Sequence, residues 1–210
     1  MHLLILAKEP LPGRAKTRLA PRFGPEGSAR LAAAALADTL DTAAACRADR
    51  VVVAFDGRPD GIVPAGVEVV PQVDGDLGDR LAAAWEAAGA PGLQIGMDTP
   101  HLGPAVLDDA YDRLRDPSVD AVLGPAADGG WWAIGFRTRP RSFAEVFAGI
   151  PASTPDTGAR QLARLRELGL RTELLATHRD VDEPDDVAEA ARVAPASRFG
   201  RLAVELGAAR

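Results

Sequence analysis

Short apolar runs alternate with longer alanine-rich or amphipathic segments along the 210 residues of this chain. The runs are continuously apolar, as expected for parallel strands covered on both faces. Between them, apolar residues recur at helical spacing, for example at Val106, Leu107, Ala110 and Leu114. Predicted strands cover residues 3–7, 50–55, 67–70, 93–97, 120–123, 131–136 and 171–175. Predicted helices cover residues 26–46, 76–88, 104–115, 142–147, 157–168, 184–192 and 198–206.

Strands and helices alternate from start to finish, without an internal repeat or a linker-like change in composition. This order predicts an α/β three-layer sandwich with a mostly parallel sheet, formed by a single domain of residues 1–210. The turn at Asp128-Gly129-Gly130 suits antiparallel pairing of the strand that follows it, so one strand should oppose the others. Asp76, with Asp79 three residues later, predicts an N-cap and a capping box for a helix that continues to Ala88.

Composition narrows the possible partners and location. The net charge of −6 argues against general affinity for nucleic acid. Charges or prolines interrupt every apolar run before it could span a bilayer, and the chain enters a strand directly, without a signal peptide. Cys46 is the only cysteine and is expected to be a buried apolar residue. We therefore expect a cytoplasmic protein without a membrane span, while no pattern predicts the oligomeric state.

A basic loop follows the first strand, in an otherwise acidic chain. It contains the only two lysines, Lys8 and Lys16, together with Arg14 and Arg18. Phosphate groups are bound by such cations, and Gly13 would let backbone amides approach. The loop lacks the spacing of a Walker A motif. Phosphate binding is favoured over a solvated basic turn. The candidate phosphate-binding residues are Ala7, Lys8, Gly13, Arg14, Lys16, Thr17 and Arg18.

Two aspartates at predicted strand ends are candidate metal ligands. Asp98 ends the apolar run 93–97 and precedes Pro100, at the edge where open α/β sheets bind ligands. A turn or helix-cap role is the alternative. Asp182 lies in an acidic run, residues 180–186, of which helix capping explains one or two members. Because Mg²⁺ is normally held by one or two carboxylates plus substrate phosphates, Asp98 and Asp182 could form a metal site.

The remaining candidates would form the rest of a substrate pocket. Asp128 is either a pocket residue or a turn aspartate, the commoner role of Asp-Gly. Adjacent Trp131 and Trp132 should point to opposite faces of their strand. Gln72, Gly75 and Asp76 could contact a base or ribose, or cap a helix. The predicted acceptor pocket comprises Asp128, Gly129, Gly130, Trp131, Ser153 and Thr154.

Taken together, these motifs resemble the nucleotide-diphospho-sugar transferase superfamily, and more closely a bacterial family of glycosyltransferase-A-like proteins. The resemblance covers nearly the whole chain, in the right order. It rests on Lys8-Glu9-Pro10, Pro12-Gly13-Arg14-Ala15-Lys16-Thr17-Arg18-Leu19, Gly75-Asp76-Leu77-Gly78-Asp79-Arg80, Gly96-Met97-Asp98-Thr99-Pro100, Gly124-Pro125 with Asp128-Gly129-Gly130, and Asp180-Val181-Asp182 before Pro184.

The resemblance implies the glycosyltransferase-A fold, a nucleotide over the first half of the sheet, and a divalent metal at Asp98. The Asp-x-Asp motif of glycosyltransferases is here a single aspartate. The basic loop is more similar to that of phospholactate guanylyltransferases and the related molybdenum cofactor guanylyltransferases.

The leading hypothesis is a transferase dependent on Mg²⁺ or Mn²⁺, with Lys16, Arg18 and Asp98 as the catalytic residues. Nucleotidyl transfer from a nucleoside triphosphate to a phosphorylated small molecule is slightly favoured, because four loop cations suit a highly charged leaving group. Glycosyl transfer from a nucleotide-sugar is one alternative. A nucleotide-binding sensor or scaffold without chemistry is the other.

Overall fold

The computed structural model describes residues 1–208 as seven strands and seven helices. The strands are β1 (His2–Lys8), β2 (Arg50–Asp56), β3 (Glu68–Pro71), β4 (Gly92–Gly96), β5 (Ala121–Pro125), β6 (Trp131–Phe136) and β7 (Thr172–Leu174). The helices are α1 (Ala20–Ala45), α2 (Leu77–Ala88), α3 (Pro104–Arg115), α4 (Phe143–Phe147), α5 (Thr157–Glu167), α6 (Pro184–Val193) and α7 (Arg198–Glu205).

The seven strands form one sheet in the order β3-β2-β1-β4-β6-β5-β7. Neighbours pair in parallel except around β6, which runs antiparallel to both β4 and β5. The predicted mostly parallel sheet with one antiparallel strand is therefore confirmed. Because β1, β2 and β4 are parallel neighbours, the loops that follow them meet at one edge of the sheet, which is where open α/β sheets bind ligands.

Both faces of the sheet are covered, as the continuous apolar runs predicted. Leu3, Ile5 and Leu93 pack with α1 and α3 on one face. Leu4 packs on the other face, together with residues of α2, α4 and α5. A third cluster joins α1 to α6 and α7 through side chains such as Val181. The expected three layers are present, and the last two helices attach beside α1.

Most element boundaries lie within one residue of the sequence predictions, and two differ by more. Helix α1 begins at Ala20 rather than at residue 26, with a break at Gly24, whose φ of 70° leaves the helical region. Pro25 then restarts the helix, because its fixed φ suits a first turn. Strand β5 continues to Pro125, two residues beyond its predicted end, through a shift in pairing at Gly124. Within residues 1–208, no helix is long and apolar enough to cross a membrane.

Candidate active site

A cleft lies along the edge of the sheet where β1, β2 and β4 end, and it has two halves. The first half, about 340 Å³, lies over the ends of β1 and β2 and is bordered by the basic loop. The second half, about 220 Å³, lies over β4 and β6. Asp98, Asp182 and Ser153 border both halves, so the two spaces meet at the candidate metal ligands.

Lys16 is the central cation of this junction. Its side chain is only 7% exposed, and its Nζ lies 2.5 Å from Asp98 Oδ1 and 3.0 Å from Asp182 Oδ1. Nζ also donates to the carbonyl oxygen of Val181. Burial alone would lower the pKa of Lys16, but the two carboxylates outweigh it and hold that pKa above its ordinary value. Lys16 is therefore a charged ammonium that joins Asp98 to Asp182.

The backbone of Lys16 is held in an unusual conformation. Its φ of 49° and ψ of 44° lie in the left-handed region, where residues other than glycine and asparagine are uncommon. Lys16 directly precedes a short 3₁₀ turn, Thr17–Leu19, and Leu19 is fully buried. Such strain persists where the surrounding structure imposes it, and it concentrates at functional sites. The fold thus aims the Lys16 side chain inward from a loop in which Arg14, Thr17 and Arg18 are exposed.

A segment far along the chain brings Asp182 to the same place. Val181 N donates to Asp98 O at 2.8 Å, which ties this segment to the end of β4. Asp186 then accepts hydrogen bonds from the backbone N–H groups of Asp182 and Glu183, at 3.1 Å and 2.8 Å. These bonds form the start of α6, so part of the acidic run is helix capping, as the alternative interpretation held. Asp182 itself points into the cleft.

The other predicted phosphate-binding residues divide into two groups. Ala7, Lys8, Thr17 and Arg18 border the first half of the cleft. Arg18 Nη1 lies 3.4 Å from Asp182 Oδ2. Gly13 and Arg14 do not border it; Arg14 is exposed and lies 3.8 Å from Asp56. Arg80, in α2, also borders the first half; from the sequence it was named only as the last residue of the motif 75–80, not as a phosphate-binding residue.

Gln72 and Asp76 make hydrogen bonds that support the fold. Gln72 borders the first half, but its Nε2 donates to the carbonyl oxygens of Ala7 and Ala54, at 2.8 Å and 2.9 Å. Asp76 Oδ1 accepts from Asp79 N at 2.9 Å, which confirms the predicted capping box. Neither Gly75 nor Asp76 borders either half of the cleft. Gln72 therefore fixes strand ends, and Asp76 begins α2.

The second half of the cleft is acidic. Its lining contains no lysine or arginine among the described residues, and it contains four aspartates, which are Asp98, Asp128, Asp180 and Asp182. Burial, and then the charges of Asp98, Asp128 and Asp182, raise the pKa of Asp180 to about 8. Asp180 Oδ1 is buried and makes no hydrogen bond within residues 1–208.

The turn at residues 128–130 packs tightly against the segment before α5. Asp128 Oδ1 accepts from Gly130 N at 2.8 Å, the geometry of a turn aspartate, while Asp128 also borders the second half. Gly129 has a φ of 92°, and a Cβ there would lie 2.0 Å from the carbonyl oxygen of Pro155. Gly130, Ser153 and Thr154 line the second half. Gly129 does not line it and packs against Pro155 instead. The structure thus brings five of the six predicted acceptor-pocket residues together, including Trp131.

Trp131 and Trp132 pack on opposite faces of the sheet, as predicted. Trp131 borders the second half on the side of α2. On the same face, Gln94 lines the second half and is only 2% exposed. Gln94 Oε1 accepts from the indole Nε1 of Trp85 at 2.6 Å. The sequence signal for Gln94, one amide inside the apolar run 93–97, was overlooked.

The donor set at the junction fits a hard divalent cation. Asp98 and Asp182 supply carboxylate oxygens that converge on one ammonium, and Mg²⁺ prefers oxygen ligands, usually one or two carboxylates completed by substrate phosphates. The orphaned Oδ1 of Asp180 lies beside the same pair. No group of three or more His, Cys, Asp or Glu side chains within residues 1–208 forms a complete metal site. A metal here would therefore depend on substrate oxygens.

Comparison with known proteins places the chain in a family. Residues 30–154 match the model described as "Uncharacterized protein conserved in bacteria (DUF2064)". The chain is also similar to phosphoenolpyruvate guanylyltransferase of Nocardia farcinica, at 30% identity over 99% of this chain and 92% of that protein.

Two solved structures share the fold. A protein of Desulfovibrio desulfuricans, assigned as a nucleotide-diphospho-sugar transferase, has a TM-score of 0.87 and 28% identity, covering 99% of this chain and 95% of that one. CMP:2-keto-3-deoxy-manno-octonic acid synthetase, solved with CTP, has a TM-score of 0.58 and 15% identity, covering 92% and 98%. The chain belongs to the DUF2064 family and is a transferase with the nucleotide-diphospho-sugar transferase fold.

Proposed function

We propose that this protein is a magnesium-dependent nucleotidyltransferase that uses a nucleoside triphosphate as its donor. The observation that carries the proposal is the cationic lining of the first half of the cleft. Lys8, Lys16, Arg18 and Arg80 border this space, and Asp98 and Asp182 lie at its inner end. Cations of this number suit a triphosphate, because each spreads and neutralises part of its charge. The similarity to a guanylyltransferase supports the same reaction class.

The residues have distinct roles in this proposal. Lys16 is preorganised by burial and by its backbone conformation. Its three N–H donors are directed at Asp98, Asp182 and Val181, so its fixed positive charge would stabilise the leaving pyrophosphate through space. Arg18, more exposed and closer to solvent, would hold outer phosphate oxygens. Asp98 and Asp182 would hold Mg²⁺, which supplies charge neutralisation at the phosphates.

The proposed reaction replaces one bond to the α-phosphorus with another. An oxygen of the acceptor forms a bond to the α-phosphorus of the donor, while the bond from that phosphorus to the bridging oxygen breaks. Pyrophosphate leaves through the first half of the cleft, and a proton from a hydroxyl acceptor passes to water. Because the two halves meet at Asp98 and Asp182, the donor and the acceptor would be held on opposite sides of the reacting phosphorus.

Glycosyl transfer from a nucleotide-sugar is the second candidate. The solved structure with a TM-score of 0.87 is assigned as a nucleotide-diphospho-sugar transferase, which favours this candidate. In that reaction the sugar would leave the nucleoside diphosphate, and the sugar would extend from the first half into the second. The two reactions differ in the product that is released. Nucleotidyl transfer releases pyrophosphate, whereas glycosyl transfer releases a nucleoside diphosphate.

Product analysis separates the two candidates. The protein is incubated with Mg²⁺ and each of the four nucleoside triphosphates, or with a set of nucleotide-sugars, and a mixture of small alcohols, acids and phosphate esters. We expect pyrophosphate release from a triphosphate and none from nucleotide-sugars. Release of a nucleoside diphosphate from a nucleotide-sugar, without pyrophosphate from any triphosphate, would favour glycosyl transfer. The absence of any nucleotide-induced thermal shift, with or without Mg²⁺, would contradict both.

A further inference from the structure

The two carboxylates proposed to hold the metal are already paired with cations of the chain itself. Lys16 Nζ lies 2.5 Å from Asp98 Oδ1 and 3.0 Å from Asp182 Oδ1. Arg18 Nη1 donates to the second oxygen of Asp182, Oδ2, at 3.4 Å. Within residues 1–208, Asp98 forms no ion pair other than that with Lys16. Asp182 therefore has a cation beside each of its two oxygens.

The two cations at Asp182 differ in how firmly they are held. The Lys16 side chain is 7% exposed, and its Nζ also donates to the carbonyl oxygen of Val181. The Arg18 side chain is 54% exposed, and Asp182 is its only ion-pair partner within residues 1–208. An exposed ion pair of this kind contributes little, because water and salt screen it. Arg18 is therefore the cation that another group can replace.

Of the two oxygens of Asp182, Oδ2 is the better ligand for a metal ion. A divalent cation at Oδ1 would lie beside the buried ammonium of Lys16, and charges of like sign repel strongly where protein excludes water. At Oδ2 the competing cation is the weakly held guanidinium of Arg18. A metal ion and Arg18 are thus alternative partners of one oxygen.

The backbone around Asp182 is fixed, so the exchange of partners depends on movement of Arg18. Val181 N donates to Asp98 O at 2.8 Å, and Asp182 N donates to Asp186 Oδ2 at 3.1 Å. The Arg18 side chain borders the first half of the cleft, in which the triphosphate is proposed to bind. A phosphate group there would offer Arg18 two oxygens in place of its single contact with Asp182.

We infer that Arg18 exchanges Asp182 for a phosphate of the donor, and that this exchange frees Asp182 Oδ2 to hold Mg²⁺. The inference rests on the proposed function, because it needs a triphosphate in the first half of the cleft. A phosphate that draws Arg18 from Asp182 favours metal binding there, and by linkage metal binding favours the phosphate contact of Arg18. The nucleotide and the metal ion thus strengthen each other's binding through one side chain.

The substitution Arg18→Gln tests the inference, because its two expected effects have opposite signs. Without nucleotide, Mg²⁺ is titrated into the ¹⁵N-labelled protein at a salt concentration of about 0.15 M, and NMR follows the backbone amide signals of Asp98 and Asp182. The variant should bind Mg²⁺ about two- to fivefold more tightly, because the competing cation is gone. With EDTA present, it should bind the α,β-methylene analogue of GTP about two- to fivefold more weakly, because a phosphate contact is gone.

A matched variant controls for the loss of one positive charge. Lys8 is exposed, borders the same half of the cleft and forms no ion pair within residues 1–208. Lys8→Gln should weaken binding of the analogue by a similar factor and change the Mg²⁺ affinity by less than about 1.5-fold. In an Asp182→Asn background, Arg18→Gln should also leave the Mg²⁺ affinity unchanged, because the contact between the two side chains is already altered. ¹H–¹⁵N spectra of the whole backbone show whether each variant remains folded.

The outcomes separate this inference from the proposed function. An unchanged or weaker Mg²⁺ affinity in Arg18→Gln would overturn the inference, and so would an equal gain in Lys8→Gln. The absence of any Mg²⁺-dependent shift at Asp98 and Asp182, in wild type and Arg18→Gln alike, would overturn it too. A protein that releases pyrophosphate from a triphosphate, but whose Mg²⁺ affinity does not respond to Arg18→Gln, would keep the proposed function and lose the exchange. A protein that binds no nucleotide would lose both.

Discussion

The two halves of the cleft share Asp98 and Asp182, yet they are built from different parts of the chain and have opposite electrostatics. The first half is formed by the loop after β1 and by α2, and it contains the cations. The second half is formed by β4, β6 and the segment before α5, and it contains aspartates and apolar side chains. The difference places the cations on one side of Asp98 and Asp182, and the remaining aspartates with the apolar side chains on the other.

Removal of the central ammonium should have the largest effect on this division. Lys16→Met removes the buried cation between Asp98 and Asp182, and we expect turnover to fall by about 10²- to 10³-fold, because a preorganised charge at the leaving group is lost. Steady-state kinetics of pyrophosphate release would measure it. The matched control is Lys8→Met, which removes an exposed cation from the same half and should cost less than about tenfold. Equal losses in the two variants would contradict a special role for Lys16.

The next largest effect should come from Asp98 and Asp182, which border both halves of the cleft, and from the metal ion that we propose they hold. Asp98→Asn should reduce the Mg²⁺-dependent part of nucleotide affinity by about 100-fold, because a carboxylate ligand of the ion is removed. Chelation of divalent ions with EDTA should produce a similar loss in the wild type. Asp128→Asn provides the control, since Asp128 lies in the second half and away from the phosphates. Calorimetric titration of GTP checks all three. Unchanged Mg²⁺ dependence in Asp98→Asn would exclude Asp98 as a ligand.

Acidification should lower the stability of the protein through His2, which packs beneath the second half of the cleft. His2 packs edge-on against Trp85, with ring centroids 5.5 Å apart, and Trp85 holds Gln94. Burial and the nearby charge of Arg50 lower the pKa of His2 to about 4, from an ordinary value of 6.5. Between those values the unfolded chain binds a proton that the folded chain does not. The free energy of unfolding should therefore fall by about 1 to 3 kcal/mol as the pH decreases from 6.5 to 4.

His2→Phe keeps an aromatic ring and removes the titration. Urea unfolding of wild type and variant at pH 7 and pH 4.5 checks the prediction, and the variant should show a smaller loss of stability at the lower pH. An identical pH dependence in the two proteins would show that His2 does not carry the effect.

The smallest effect should come from the outer cation of the first half. Arg80 borders the cleft and donates to Gln72 Oε1 at 3.3 Å. Arg80→Gln should weaken triphosphate binding by about fivefold at low salt, because a partly exposed charge contributes little. The loss should shrink as salt is added, since screening weakens the wild type. A series of Kd values for GTP at rising NaCl concentrations measures it. A salt-independent loss would indicate a structural role through Gln72.

Local patterns were sufficient for the sheet and for the sides of the cleft. Continuous apolar runs identified the strands. The cations at and after the end of β1 predicted a basic side of a cleft, and Lys8, Lys16 and Arg18 border the first half. Local patterns were insufficient where a role depends on a distant partner. The bonds of Gln72 to the ends of β1 and β2 join residues far apart in the sequence, so its role could not be deduced from its own loop.

The positions of Gln94 and Arg80 in the cleft also depend on tertiary structure. Both lie in well-predicted elements, and both face the cleft only because the tertiary fold turns one face of β4 and of α2 toward it. The left-handed conformation of Lys16 is likewise imposed by its surroundings, since a lysine has no intrinsic preference for it.

The hydrogen bond from Val181 N to Asp98 O has a consequence for how activity can vary among relatives. The stretch that matches the family model, residues 30–154, contains Asp98 but neither Lys16 nor Asp182. Lys16 lies in the segment before this stretch and Asp182 in the segment after it, and both lie beside Asp98 at the end of β4. Sequence changes in either flanking segment would therefore alter the charges beside Asp98 without altering the central sheet. Relatives that share the sheet should be sorted by the residues at these two flanking positions before a common reaction is assigned to them.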